Sequence, residues 1–309
     1  MSTSLLLIQC LNGLQYGVLL FLIAAGLTLV FGVMGFINLA HGVQYMVGAY
    51  LAFAFHALTG SFWLALLLAL GAALLFGLLL EWLVFRHLYA RDHLDQVLAT
   101  FGIIIFLNEA VEVLFGPTTL TLPVPELLAG SVQLTDTLRY PIYRLATIAA
   151  GLGVAVLLWF LVSRTRAGML VRAGATNPDT VRALGVDIDR LFLMVFGFGA
   201  MLAGLAGGIA APVFAVQPGM GDNWLIVAFV VIIIGGIGSI RGAFVAALLV
   251  GLIDTLGRSV MTDALGLVAD ASAAAQIGPA LASMLIYILM ALVLFFRPEG
   301  LFPVAAGAR

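Results

Sequence analysis

The chain has 309 residues, of which 63% are hydrophobic and only 9% charged; the formal net charge is −2 and the mean hydropathy is +1.20. An ordinary soluble domain carries about 25% charged residues, and so few polar side chains cannot cover a water-facing surface. The composition excludes a soluble globule, a disordered chain and a disulfide scaffold, and leaves a polytopic membrane protein.

No Asp, Glu, Lys or Arg precedes Glu81. One bilayer crossing needs about 20 apolar residues, so this run holds several helices. Its first block is long and lacks a basic flank, so it reads as a span and not as a secretory leader. Weak breaks at GVMGFINLAHG and HALTGS separate spans expected at 7–32, 38–58 and 63–85. Further spans are expected at 97–115, 142–162, 191–214, 224–240, 242–256 and 277–296. The fold class is therefore an all-α, polytopic membrane helical bundle of eight or nine transmembrane or re-entrant helices, with 1–309 as a single transmembrane domain. Trp63, Trp82, Trp159 and Trp224 all fall near expected span ends, where an amphipathic ring prefers to sit.

Polar side chains cluster on the first two spans. Asn12, Gln15 and Tyr16 share one helix face, as do Asn38, His41, Gln44 and Tyr45. Such groups either line a hydrated path or bond helix to helix. Asn12, Gln15, Asn38, His41 and Gln44 are the candidates for the first role. Glu81 and Arg86, at the inner end of the third span, are expected to snorkel to the interface. Glu109 and Glu112 lie three apart in the outer half of the fourth span, and Asp254 lies in the outer half of the eighth. Acids at such depth face a cavity or a partner. With Asp222, they would draw the ammonium of a zwitterionic solute towards an outer mouth.

The segment 164–190 holds Arg164, Arg166, Arg172, Arg182 and Arg190, which places it in the cytoplasm. Nine spans then put the N-terminus outside and the C-terminus inside, with Arg86, Arg91, Arg241, Arg297 and Arg309 also inside and only Arg139, Arg144 and Arg258 outside. The segment should contain one short cytoplasmic helix, 178–184. Asn177 would cap it, Pro178 would open it, Asp179 would meet its positive end and Gly185 would close it in a left-handed conformation. Two turns alone are marginal in water, so Val181 and Leu184 are expected to dock on a partner.

Small residues mark the sixth span as central. Ala200, Gly204 and Gly208 form one stripe, and Ala203, Gly207 and Ala211 form the next. Later, IIIGGIGSIRGAF is either a broken helix lining a transport site or a tight cytoplasmic turn with Arg241 in water. A faint echo relates Gly35, Ile37 and Gly42 to Gly235, Ile237 and Gly242, an offset of 200 residues.

All 13 basic residues are arginine. Without lysine there is no P-loop and no Schiff-base chemistry. Neither a metal-site spacing nor a catalytic motif is present, so the chain is read as a non-enzyme without a cofactor of its own. The charge balance gives no sign of nucleic-acid binding.

Three stretches carry a family resemblance. The opening NGLQYGVLLFLIAAGLTLVFGVMGFINLAHGVQYMVGAY resembles the start of branched-chain amino acid ABC-transporter permeases. RTRAGMLVRAGATNPDTVRALGVDIDR is similar to that family's ATPase-coupling segment, and GGIGSIRGAFVAALLVGLIDTLG to its late glycine-rich region, shared with related sugar permeases. Gly168, Arg172, Ala173, Asn177 and Gly185 match the coupling pattern, with Asp179 and Arg182 inside it. Asn38, Ala40, His41 and Gly42 match the first-half pattern. The resemblance implies an importer subunit in a bacterial or archaeal inner membrane, working by alternating access. It implies a second homologous permease, two ATP-binding cassette ATPase subunits and an extracytoplasmic solute-binding protein as partners. Relatives carry branched-chain amino acids, and also urea or short amides. The residues alone also leave open a stand-alone ion-coupled carrier using Glu109, Glu112 or Asp254, and a membrane-embedded enzyme.

Overall fold

In the computed structural model, which describes residues 3–135, 138–267 and 270–303, helices dominate. The chain crosses back and forth as α1 (Thr3–Met34), α2 (His41–Thr59), α3 (Phe62–Leu83), α4 (His93–Phe115), α5 (Ile142–Arg164), α8 (Ile188–Ala210), α9 (Met220–Gly235), α10 (Ile240–Leu265) and α11 (Ala271–Phe296). Between α5 and α8 lie two shorter helices, α6 (Arg166–Thr176) and α7 (Pro178–Ala183). A two-stranded antiparallel hairpin, β1 (Ser131–Thr135) and β2 (Leu138–Pro141), precedes α5 at the opposite end of the bundle.

Among the described residues, seven helices are long and apolar enough to cross a bilayer; α2 is not one of them, and α9, with 16 residues, is a shorter apolar helix. All nine expected spans correspond to helices, with shifted ends. The eighth extends to Leu265, well past 256, and the ninth begins at Ala271 instead of 277. The second begins at His41, leaving Asn38 in the turn between α1 and α2. At one end of this serpentine lie Arg86, Arg91, Arg164, Arg166, Arg172, Arg182, Arg190, Arg241 and Arg297; the other holds Arg139, Arg144 and Arg258. That asymmetry fixes the arginine-rich end as cytoplasmic. Arg309 lies outside the described residues.

Lipid tails are as apolar as leucine, so no hydrophobic force drives these helices together; close packing must do it. The core is accordingly built at small residues. Helix α1 is the most enclosed, with 83% of its apolar window buried, against 11% for α11. It runs antiparallel to α10: a Cβ at Gly13 would meet the Gly251 carbonyl at 3.0 Å, and one at Gly17 the Ala247 carbonyl at 2.8 Å. Helix α8 is central, as its two stripes foretold. Gly204 sits against Gly48 of α2 and Ala73 of α3, Ala200 against Gly77, and Gly207 against the Tyr45 backbone.

The glycine-rich segment 232–244 is the tight turn. Helix α9 ends at Gly235, and Gly236 (φ +100°) and Gly238 (φ +81°) carry the chain into α10. Ser239 caps α10 by accepting from the Gly242 amide at 3.1 Å. Arg241 is exposed. The last carbonyls of α9 are satisfied by the C-terminal segment: Leu301 N–H donates to Ile234 O at 2.8 Å and Phe302 N–H to Gly235 O at 3.0 Å. The two echoing segments both lie at this inner end, each with a left-handed glycine before an outward-running helix.

Glu81 does not snorkel. It is 1% exposed, accepts from the Tyr89 hydroxyl at 3.0 Å and has Arg86 at 3.9 Å. Burial, and then the neighbouring Glu81 carboxylate, push the Tyr89 phenol up, so it stays protonated and remains a donor.

A branched side chain where two backbones touch should separate α2 from α8. Gly48→Val is expected to lower stability by about 1–3 kcal/mol, the usual cost of overpacking, while Gly71→Val, with open space around it, should change little. Thermal unfolding of the detergent-purified protein measures both, and equal effects would contradict this packing.

Candidate functional site

At the outer end, α1, α5, α9 and α10 diverge and enclose a cavity of about 430 Å³. An adjoining cavity of about 270 Å³ extends it towards α11. Volumes of this size suit a small-molecule solute. Asn12, Gln15, Tyr16, Arg144, Trp224, Asp254 and Arg258 line the larger space. Gly13, on the seam of α1 with α10, lies between the lining residues Asn12 and Gln15, so the cavity flanks the outer end of that seam.

Each polar group has a structural reason for its place. Asn12 Oδ1 accepts from the Arg144 guanidinium at 2.6 Å and from the Tyr140 hydroxyl at 3.1 Å, tying α1 to β2 and to the first turn of α5. Tyr143 anchors the same turn by donating to the Ile209 carbonyl at 2.7 Å. On α10, Arg258 binds both carboxylate oxygens of Asp254 at 2.9 Å, one turn apart on the helix. Arg258 also reaches Ser283 of α11 at 3.3 Å. An apolar wall completes the cavity. Trp224 packs on Tyr16, Tyr45 and Phe214 with ring centroids 5.2, 5.1 and 5.5 Å away. Trp63, Trp82 and Trp159 are exposed at helix ends as interfacial rings should be, but Trp224 turns inward.

The expected pathway residues divide. Asn12 and Gln15 line the cavity. Asn38, His41 and Gln44 lie outside it, sealed in the bundle at 0%, 0% and 2% exposure. His41 packs against Gly26 of α1 and bonds the Ile23 carbonyl at 3.1 Å, so its role is to join helices. Glu109 and Glu112 are exposed on the outer face of α4, away from the cavity. Asp254 lines it but is fully engaged by Arg258. Asp222 is exposed and is not part of the wall. The acids therefore do not form an ammonium trap; the cavity has two guanidinium groups and one carboxylate. Arg144, which sequence reasoning counted only among the three outer-side arginines, is the group it missed. Its position next to the first residue of α5 was visible, but its approach to Asn12, 132 residues earlier, was not.

At the cytoplasmic end, the expected short helix is present, and a longer one precedes it. Asn177 caps α7 by accepting from the Thr180 amide at 2.9 Å, Pro178 occupies the first turn and Gly185 has φ +88°. Helix α6 escaped notice because RAGMLVRAGAT is short and carries two glycines, which are poor helix formers; Thr165 caps it by accepting from the Gly168 amide at 3.1 Å. Val181 is buried inside the chain at 6% exposure, so it cannot be a contact for a partner. Gly168 is buried likewise, against the carbonyls ending α5. Leu184 and Met169 are exposed at 78% and 54%. Arg172 is exposed, and Arg182 sits between Asp179 at 3.8 Å and Asp189 at 3.3 Å.

Nine serpentine helices, an outer solute-sized cavity and a charged helical pair on the opposite side define a multi-pass membrane permease subunit. Residues 9–294 match the family described as the branched-chain amino acid transport system permease component. The permease protein BraD of the high-affinity branched-chain amino acid transport system of Pseudomonas aeruginosa is 31% identical over 307 residues, covering 95% of this chain and 94% of that protein. The LivH permease proteins of Salmonella typhimurium and Escherichia coli K12 are each 28% identical, covering 82% of this chain and 86% of theirs. No solved structure matches. The chain belongs to the branched-chain amino acid transport system permease family, and it is a multi-pass inner-membrane protein.

Removing the carboxylate from the Asp254–Arg258 pair would leave a half-buried cation without compensation. Asp254→Ala is expected to cost about 1–3 kcal/mol in thermal unfolding, and adding Arg258→Ala should recover more than half of it. Additive losses would show that the pair does not act as a unit.

Proposed function

We propose that this chain is one membrane-embedded subunit of an ABC importer for branched-chain or related amino acids. Alternating access is driven by ATPase subunits on other polypeptides. The observation that carries this reading is family membership over nearly the whole chain, including the cytoplasmic segment 164–190. The lack of any lysine supports it independently, because a P-loop cannot be formed here and hydrolysis must occur elsewhere.

The partner set is a second homologous permease, two ATP-binding cassette subunits and an extracytoplasmic solute-binding protein. Solute delivered at the outer face enters the cavity between α1, α5, α9 and α10. Closure of the ATPase pair pushes on α6 and α7. Leu184 and Met169 seat in an apolar groove, while Arg172 and Arg182 meet an acidic rim. Val181, packed into the chain's own interior, passes the displacement on to the bundle, with Asn177 and Gly185 holding α7 rigid at its two ends. Four residues join α7 to α8, which is packed backbone-close to α2, so motion at the cytoplasmic end reaches the core over a short connection. A solute shifts this equilibrium only by binding one state better than the other.

A carrier working alone on an ion gradient is disfavoured by the same geometry. Glu109 and Glu112 lie off the cavity, and Asp254 is neutralised by Arg258.

The test is uptake of radiolabelled L-leucine by cells expressing the whole transport system. Leu184→Asp combined with Arg172→Glu should reduce uptake at least about tenfold while membrane levels of the chain stay unchanged and the purified complex still hydrolyses ATP. Undiminished uptake in the double variant would contradict the coupling role, and uptake without any ATPase subunit would contradict the importer class.

A further inference from the structure

We propose that Arg144 receives the carboxylate of the transported solute in the outer cavity, with Trp224 and Phe214 taking its apolar side chain. The inference rests on the reading of the chain as an amino acid importer and adds how the solute is chosen.

The cavity has an excess of cation. Asp254 gives both oxygens to Arg258, so that pair is internally neutral. Arg144 lines the same cavity and has no ion-pair partner among the described residues. Its partners among the described residues are neutral: Asn12 Oδ1 accepts from it at 2.6 Å, and the Tyr140 hydroxyl, bonded to the same oxygen, lies beside it. A guanidinium has five N–H donors in a planar fork, so most of them remain for a bidentate carboxylate.

Arg144 also sits where a cation is unfavourable for the helix itself. It is in the first turn of α5, a 23-residue helix whose positive dipole end repels it. A local rule broken at a cavity wall, with only neutral partners and no carboxylate among the described residues to compensate it, is a mark of function. The dipole and the guanidinium add in the direction that attracts an anion. A second observation points the same way. Gln15, 4% exposed and lining the cavity, has a buried amide nitrogen without a hydrogen-bond partner. Its amide lies on the same helix as Asn12, one turn deeper, and offers a further polar contact.

The rest of the lining includes an apolar and aromatic group, Val213, Phe214 and Trp224. A small solute with a carboxylate at one end and a branched alkyl group at the other fits this polarity. A neutral amide or urea leaves Arg144 uncompensated, and a simple amine is repelled.

Binding is read from the tryptophan emission of the full-length purified protein, since Trp224 lines the cavity. Three probes separate the recognition groups: L-leucine, 4-methylvalerate, which keeps the carboxylate and lacks the ammonium, and L-leucinamide, which lacks the carboxylate. For the wild type, 4-methylvalerate is expected to bind within about threefold of L-leucine, and L-leucinamide at least about tenfold more weakly, the usual worth of a charge-assisted pair. Arg144→Gln should weaken L-leucine binding about tenfold and leave L-leucinamide within twofold; Arg144→Lys should restore part of the loss. L-leucinamide binding the wild type as tightly as L-leucine, or L-leucine binding unchanged in Arg144→Gln, overturns the role of Arg144 and leaves the importer reading intact. No response to any probe overturns both for amino acid solutes. If Arg144→Gln does not reach the membrane, the wild-type series decides alone.

Discussion

Backbone-to-backbone contact at glycine is the constraint on which this structure depends. In a hydrocarbon solvent, apolar side chains gain little by meeting one another, so helices associate only where their surfaces come very close. Helices α1, α2, α8 and α10 meet at Gly13, Gly17, Gly48, Gly204, Gly207 and Gly251. These contacts close the middle of the bundle to solute. The cavity flanks the outer end of the α1–α10 seam, with Asn12, Gln15 and Tyr16 around Gly13.

The α8 side of these contacts was legible in the sequence, as was much else with a local cause; the α1–α10 seam was not. A spacing of four between small residues announced α8 as central, and it is. Caps are equally local: Asn177, Pro178 and Gly185 specify α7 without help from the rest of the fold. Charge asymmetry between loops needs no tertiary knowledge either. Failures occurred where a residue's meaning depends on what packs across from it. His41 and Gln44 share a helix face with polar neighbours, but that face looks at α1 and not at water. Glu109 and Glu112 share a face that looks away from the bundle. Val181 was expected to seek a partner and found its own chain instead. A helical face can be read from spacing; its direction cannot.

The misreading of the acids is instructive chemically. Carboxylates within an apolar run invite a search for the cation they bind. Here the cation is internal: Arg258 lies four residues after Asp254 and takes both oxygens. What remains to act on a solute is a second guanidinium, from a residue whose only sequence signal is a positive charge at the wrong end of a helix. Electrostatic function in this bundle lies in the charge left over after internal pairing, and not in the charge count.

The account joins an external cavity to an internal lever through a rigid, closely packed core. Its central claim is that these two features lie on opposite sides of the membrane. Single cysteines at Thr255, on the cavity wall, and at Arg172, on α6, test this directly once the exposed Cys10 has been replaced by serine. In intact cells a membrane-impermeant maleimide should label Thr255→Cys and spare Arg172→Cys, and in inverted vesicles Arg172→Cys should react. Labelling of Arg172→Cys from outside intact cells would invert the topology and contradict the account.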